Sequence, residues 1–151
     1  MAVDPRGRDL KTFLAEDPGG PVVMLNLLRF RPDEQGGHAS ARDSYAAYLA
    51  HFRRHAEPRG AEILYLGDGD TALVAEDGQA WDAVLLVRYP DRQAFSDMVA
   101  DPAYQEGTHL RTEALTEAVL QATVPWPAGT AAPSTVEPRG PEPRDEDGPA
   151  R

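Results

Sequence analysis

The chain has 151 residues, enough for one hydrophobic core but not for two. Its formal charge of −10 opposes partners approached through basic patches, nucleic acid and anionic membrane surfaces alike, which leaves a small molecule or another protein. It contains no cysteine, so disulfides, thiolate nucleophiles and thiolate metal sites are excluded together; with no bilayer-length apolar run and no apolar signal segment after Met1, a cytoplasmic protein is expected.

Residues 1–20 read as a leading helix and linker. Asp4-Pro5 precedes a short helical run, Asp9 to Glu16, which Asp17-Pro-Gly-Gly20 stops. Residues 21–124 form the domain proper. Pro21 opens a strand, Val22 to Phe30, and the glycine-containing loop 33–37 is placed to act as a lid. From Ser40 to Pro58 the apolar residues Ala41, Tyr45, Tyr48, Leu49, Phe52 and Ala56 recur at helical spacing. A strand Ala61–Leu66 follows, then the turn Gly67-Asp-Gly-Asp70, a second short strand Thr71–Ala75 that doubles it as a hairpin, and the turn Glu76–Gln79.

Trp81 to Tyr89 is the central strand. Trp81, Ala83, Leu85, Val87 and Tyr89 share one face and Asp82, Val84, Leu86 and Arg88 the other, because strand side chains alternate. Both faces are largely apolar at the centre, so both need a cover. The helix Asp91–Ala100 follows, and Pro102 separates it from a further helix running from Ala103 to about Glu117. Val119–Val124 is the last strand. Residues 125–151 are rich in proline, glycine and charge with almost no aliphatic side chains, and read as a disordered tail in which Trp126 alone could dock on the domain.

The element order βαββαβ is that of an α+β, ferredoxin-like antiparallel sheet with helices on one face. Val23, Leu25, Leu27, Val84 and Leu86 would leave the other face as an exposed apolar patch, which a homodimer packing sheet against sheet would cover.

The segments Val23-Met-Leu-Asn-Leu-Leu-Arg-Phe30, Tyr45-Ala-Ala-Tyr48, Trp81-Asp82, Val87-Arg-Tyr-Pro90, Pro102-Ala-Tyr-Gln105 and His109-Leu-Arg-Thr-Glu-Ala-Leu115 resemble an uncharacterised bacterial domain-of-unknown-function family. That family lies in the dimeric α/β-barrel superfamily, with antibiotic-biosynthesis monooxygenases, muconolactone isomerase and the chlorite dismutase and dye-decolourising peroxidase haem enzymes. The resemblance covers about residues 5–124. It implies the dimeric barrel; fold alone does not fix the chemistry.

Candidate site residues come from the side chains. Helical spacing puts Tyr104, Gly107, Arg111, Leu115 and Ala118 on one face, with Arg111 in the middle of the apolar arc and no acidic residue on that helical face. A charge buried there needs an anion or a set of acceptors. If the strand face carrying Asn26, Tyr65, Trp81 and Tyr89 looks towards the helices, these residues converge with Tyr45, Tyr48 and Arg111 on one cavity; a register error of one residue would send the strand members to the other side. Arg111, Asn26, Tyr48 and His55 are the candidate catalytic residues, His55 as a proton carrier at the rim. Tyr45, Tyr65, Trp81, Tyr89 and Tyr104 are the candidates for substrate binding. The alternative is that the aromatics are plain core, Asn26 satisfies a neighbouring backbone and Arg111 is paired within the protein.

The expected ligand is a small aromatic or anionic molecule. Similarity to the superfamily's cofactor-free monooxygenases implies oxidation of a phenolic or enolic anion; an isomerase or cyclase working through an enolate, or a ligand-binding or structural dimer without turnover, are the alternatives. No cofactor and no metal are expected. His51 and His55 have the i, i+4 spacing of a metal pair, but Arg53 and Arg54 lie between them and no carboxylate motif accompanies them. His109 falls on the outer face of its helix, His38 lies in the loop, and Asp82 is placed to cap a turn or cross the dimer interface, with Arg29 and Arg88 on the same face as candidate partners.

Overall fold

The structure, a computed structural model, describes residues 4–130. Helix α1 (Gly7–Ala15) starts beside an Arg6–Asp9 pair at 3.1 Å and stops at Asp17, whose carboxylate accepts from the Gly19 amide at 2.8 Å. Gly19 and Gly20 both take left-handed backbone, which turns the chain into β1 (Val22–Phe30). Along β1 burial alternates strictly, with Val22, Met24, Asn26, Leu28 and Phe30 facing the helices.

Helix α2 (Ala39–Ala56) buries Ala41, Tyr45, Tyr48, Phe52 and Ala56, the stripe anticipated from the sequence. A 3-10 turn, Glu57–Arg59, and left-handed Gly60 lead into β2 (Glu62–Asp68). β3 (Ala83–Tyr89) leads to α3 (Arg92–Ala100), whose first turn is capped by the Asp91 carboxylate accepting from the Ala94 amide at 2.7 Å. Three short elements close the domain: α4 (Pro102–Gln105), α5 (Thr108–Ala114) and β4 (Leu115–Thr123).

The strands form one antiparallel sheet in the order β2-β3-β1-β4, the ferredoxin-like arrangement, so the fold is α+β as expected. β1 and β3 are central. Their helix-facing residues form the core with α2 and α3, and the opposite face is half-buried along Val23, Leu25 and Leu27.

Four expectations are corrected. Thr71–Ala75 forms no strand, and Leu73 and Val74 are 92% and 98% exposed. β2 pairs with β3 and keeps its outer edge open, and the chain leaves the sheet where the Gly69 amide bonds the Asp82 carbonyl at 2.8 Å. The single helix expected over 103–117 breaks at Glu106-Gly107 and ends at Ala114, after which the chain is already strand. Arg29 pairs with Glu117 at 3.0 Å rather than with Asp82, whose carboxylate accepts from the Phe30 amide at 2.9 Å. Trp126 is 76% exposed, so it does not dock; residues 131–151 of the expected tail lie outside the described residues.

Candidate functional site

Between the helix face of the sheet and the helices lies a chamber of about 240 Å³. Its floor is Met24, Asn26, Leu85, Val87 and Tyr89. Tyr45, Tyr48 and Phe52 of α2 roof one side, Phe95 and Met98 of α3 another, and Tyr104 and Arg111 close the end, with Asp4 and Pro5 of the leader at its border. The loop 33–37, expected as a lid, takes no part. It folds on itself, its Asp33 carboxylate accepting from the amides of Gln35 at 3.1 Å and Gly37 at 2.9 Å.

Arg111 is turned inward, 6% exposed. The sequence offers no acid on its helical face, yet the leader brings one: Asp4 Oδ1 lies 3.4 Å from Arg111 Nη1 and 3.5 Å from Thr112 Oγ1. No acid lies on the helical face itself, and this contact goes part of the way to the alternative in which Arg111 is paired within the protein. The contact is long and the Asp4 side chain is 59% exposed, so this contact by itself is worth little.

The chamber is rich in neutral phenol groups. The hydroxyls of Tyr48 and Tyr104 share a hydrogen bond at 2.7 Å. Tyr45 presents a buried hydroxyl with no hydrogen-bond partner, a deficit of about 1–3 kcal/mol unless a guest supplies one. Burial raises the pKa of Tyr45, Tyr48, Tyr89 and Tyr104 above the ordinary phenol value; the positive charge of Arg111 pulls Tyr45, Tyr48 and Tyr104 back the other way. All four therefore stay protonated at neutral pH; Tyr45, and whichever hydroxyl of the Tyr48–Tyr104 pair does not donate to the other, can donate to an oxyanion near Arg111. Asn26 is 8% exposed and its amide nitrogen donates to the carbonyls of Met24 at 3.4 Å and Leu85 at 3.3 Å, weak bonds that hold the side chain upright at the chamber floor.

Tyr65, Trp81 and His55 are not brought into the chamber. A register shift between Ile63 and Tyr65 places Tyr65 opposite Leu86 on the outer sheet face, where it is 56% exposed and its ring covers Gly67. Trp81 precedes β3 in a loop, where the Arg29 guanidinium sits 4.6 Å above its ring. The His55 ring lies tilted against His51 at 4.6 Å with Nδ1 3.9 Å from the Asp101 carboxylate, behind the Tyr104 ring and outside the chamber. His51 Nε2 is already engaged with the Tyr104 carbonyl at 2.7 Å, and no group of three or more metal-ligating side chains gathers among the described residues. His38 Nδ1 is 3.2 Å from the Arg31 carbonyl and His109 is exposed, both away from the site. Asp4, Met24, Phe95 and Met98 were missed by sequence reasoning; the two methionines and Phe95 look like any core residue, and Asp4 reads as the start of a leader.

Residues 38–123 match the family described as a domain of unknown function (DUF1330). The chain is similar to the RPA0582 protein of unknown function from Rhodopseudomonas palustris, with 30% identity over 82% of this chain and 96% of that one and a TM-score of 0.73. The methylated RPA0582 protein gives 30% identity, 85% and 97% coverage and a TM-score of 0.74. A dimeric ferredoxin-like protein of unknown function from Jannaschia sp. CCS1 shares the fold at 12% identity, 70% and 99% coverage and a TM-score of 0.51. No curated protein matches the chain.

Proposed function

We propose, from the premise that this chain belongs to the DUF1330 family, that its chamber binds a small aromatic or enolic anion, head group against Arg111 and ring among the tyrosines. The observation that carries this reading is the buried Tyr45 hydroxyl without a partner in a chamber that also holds the Arg111 guanidinium. A carboxylate, phenolate or enolate oxygen would accept from both, replacing the long contact to Asp4.

Turnover as a cofactor-free oxygenase is the activity this binding mode favours, by analogy with the antibiotic-biosynthesis monooxygenases of the superfamily in which the resembled family lies. Electrons would come from the bound anion itself, and the protein would orient it and stabilise its charge. An isomerase needs a proton carrier in the chamber as well, and among the described residues at its border the one carboxylate is Asp4 and there is no histidine.

The outer sheet face supports a homodimer by the same reasoning that raised it from the sequence: Val23, Leu25, Leu27, Val84 and Leu86 form a half-buried apolar surface. The Jannaschia protein of the same fold is described as dimeric.

Calorimetric titration with benzoate, 4-hydroxybenzoate and an enolic acid tests the binding, and an oxygen electrode under air tests the turnover. Saturable binding that disappears in Arg111→Met, with the folded signal of that variant intact, is the expected result. Absence of binding by all three acids would overturn the reading.

A further inference from the structure

A second cavity, a cleft of about 610 Å³, lies beneath α1. It shares Asp4, Pro5, Met24, Phe95 and Leu120 with the chamber, so the two spaces meet along one wall. We infer that chamber and cleft together form one elongated site for an amphiphilic acid, whose anionic head sits at Arg111 and whose apolar tail runs along β4 under α1. This inference rests on the head-group reading above and extends it to the class of molecule.

The two ends of the site differ in chemistry. At the chamber end are Arg111, Tyr45 and the Tyr48–Tyr104 pair. In the cleft, the helix-facing side chains of β4 are Ala118, Leu120 and Ala122, set opposite Leu28, Asn26 and Met24 across the ladder. Two alanines in that row leave depth where larger residues would have filled the space. Leu10 and Phe13 cover it from α1 and Phe95 from α3, while the exposed Arg6, Asp9 and Glu16 and the half-buried Arg92 stand at its border.

Helix α1 bridges this space rather than filling it. Its C-terminal end is fixed by Phe13 packing edge-on against Phe95 at 5.5 Å and by Arg92 Nη1 donating to the Phe13 carbonyl at 2.8 Å. On its N-terminal side, Asp4 reaches Arg111. Between these anchors no residue of α1 is buried, although Leu10, Phe13 and Leu14 are apolar. A tail lying there would complete the apolar surface that the protein leaves half-covered.

The test is a homologous series of 4-alkylbenzoates, from methyl to hexyl, titrated calorimetrically into the full chain beside benzoate. Each added methylene buried in the cleft is expected to tighten Kd by about fourfold until the cleft is full. Ala122→Trp, which places a ring in the cleft and not in the chamber, is expected to flatten that dependence. If benzoate binds but Kd does not change with chain length, the tail site is overturned while the head-group reading stands. A dependence on chain length that survives Ala122→Trp overturns it too, since the tail then lies elsewhere. If neither benzoate nor any alkylbenzoate binds, the head-group reading itself fails and this inference fails with it.

Discussion

The phenol hydroxyls of Tyr48 and Tyr104, 56 residues apart in the chain, meet at 2.7 Å and tie α2 to α4 across the end of the chamber. Both rings are buried, so each hydroxyl depends on the other for its hydrogen bond. Tyr48→Phe or Tyr104→Phe strands one hydroxyl and is expected to cost about 1–3 kcal/mol in urea unfolding, whereas the double variant costs less than the sum of the two. Additive losses would show that the bond contributes nothing of its own.

Asp4 holds its carboxylate at the guanidinium that an anionic ligand would use. Asp4→Asn removes that competing charge. Because the Asp4 side chain is more than half exposed, the loss of stability is expected to be a fraction of a kcal/mol, while benzoate Kd tightens by about two- to fivefold. Weaker binding in Asp4→Asn would mean that the carboxylate positions Arg111 instead of competing for it.

The four buried tyrosines govern behaviour at high pH. Their phenols are raised in the folded state above the unfolded value of about 10, chiefly by burial, so the neutral form is the one the fold retains. The stability they contribute is therefore fully present below pH about 10 and is lost as pH climbs towards their folded values. Absorbance at 295 nm is expected to show their ionisation only with the loss of near-ultraviolet circular dichroism. Smooth ionisation of all five tyrosines in a chain that stays folded would contradict the burial.

Much of the frame was legible from local pattern. The alternation of β1 and the stripe through Tyr45, Tyr48, Phe52 and Ala56 each carry one period over a long run, so little could displace them. The inward turn of Arg111 was legible too, because its apolar neighbours left it no other face. Tyr65 was not, since one bulge residue reverses every side chain after it and the pattern before the bulge gives no notice. Leu115 to Ala118 suits helix and strand about equally, and pairing with β1 decided for strand. The Asp4–Arg111 contact spans 107 residues and has no period at all.

Gly107 owes its place to a histidine. A Cβ there would run into the His51 ring, whose Nε2 holds the Tyr104 carbonyl. Gly107→Ala is expected to destabilise the fold by about 1–3 kcal/mol through overpacking, and His51→Ala in the same chain to return part of that loss. Thermal unfolding of the two single variants and the double variant measures the coupling; independent effects would place the strain elsewhere than at this contact.

The outer sheet face offers the last test. Leu25 and Leu86 are paired across the two central strands, both half-buried and both directed away from the helices. In a sheet-to-sheet dimer they would lie near the middle of the interface, where a charge has no water to hydrate it. Leu86→Arg is then expected to convert the dimer to a monomer in light scattering after size exclusion, with the chamber still binding benzoate, because Leu86 points away from Arg111. Since a guanidinium on a solvated face changes stability by no more than about 0.5 kcal/mol, an unaltered mass and an unaltered melting temperature would mean that this face meets water.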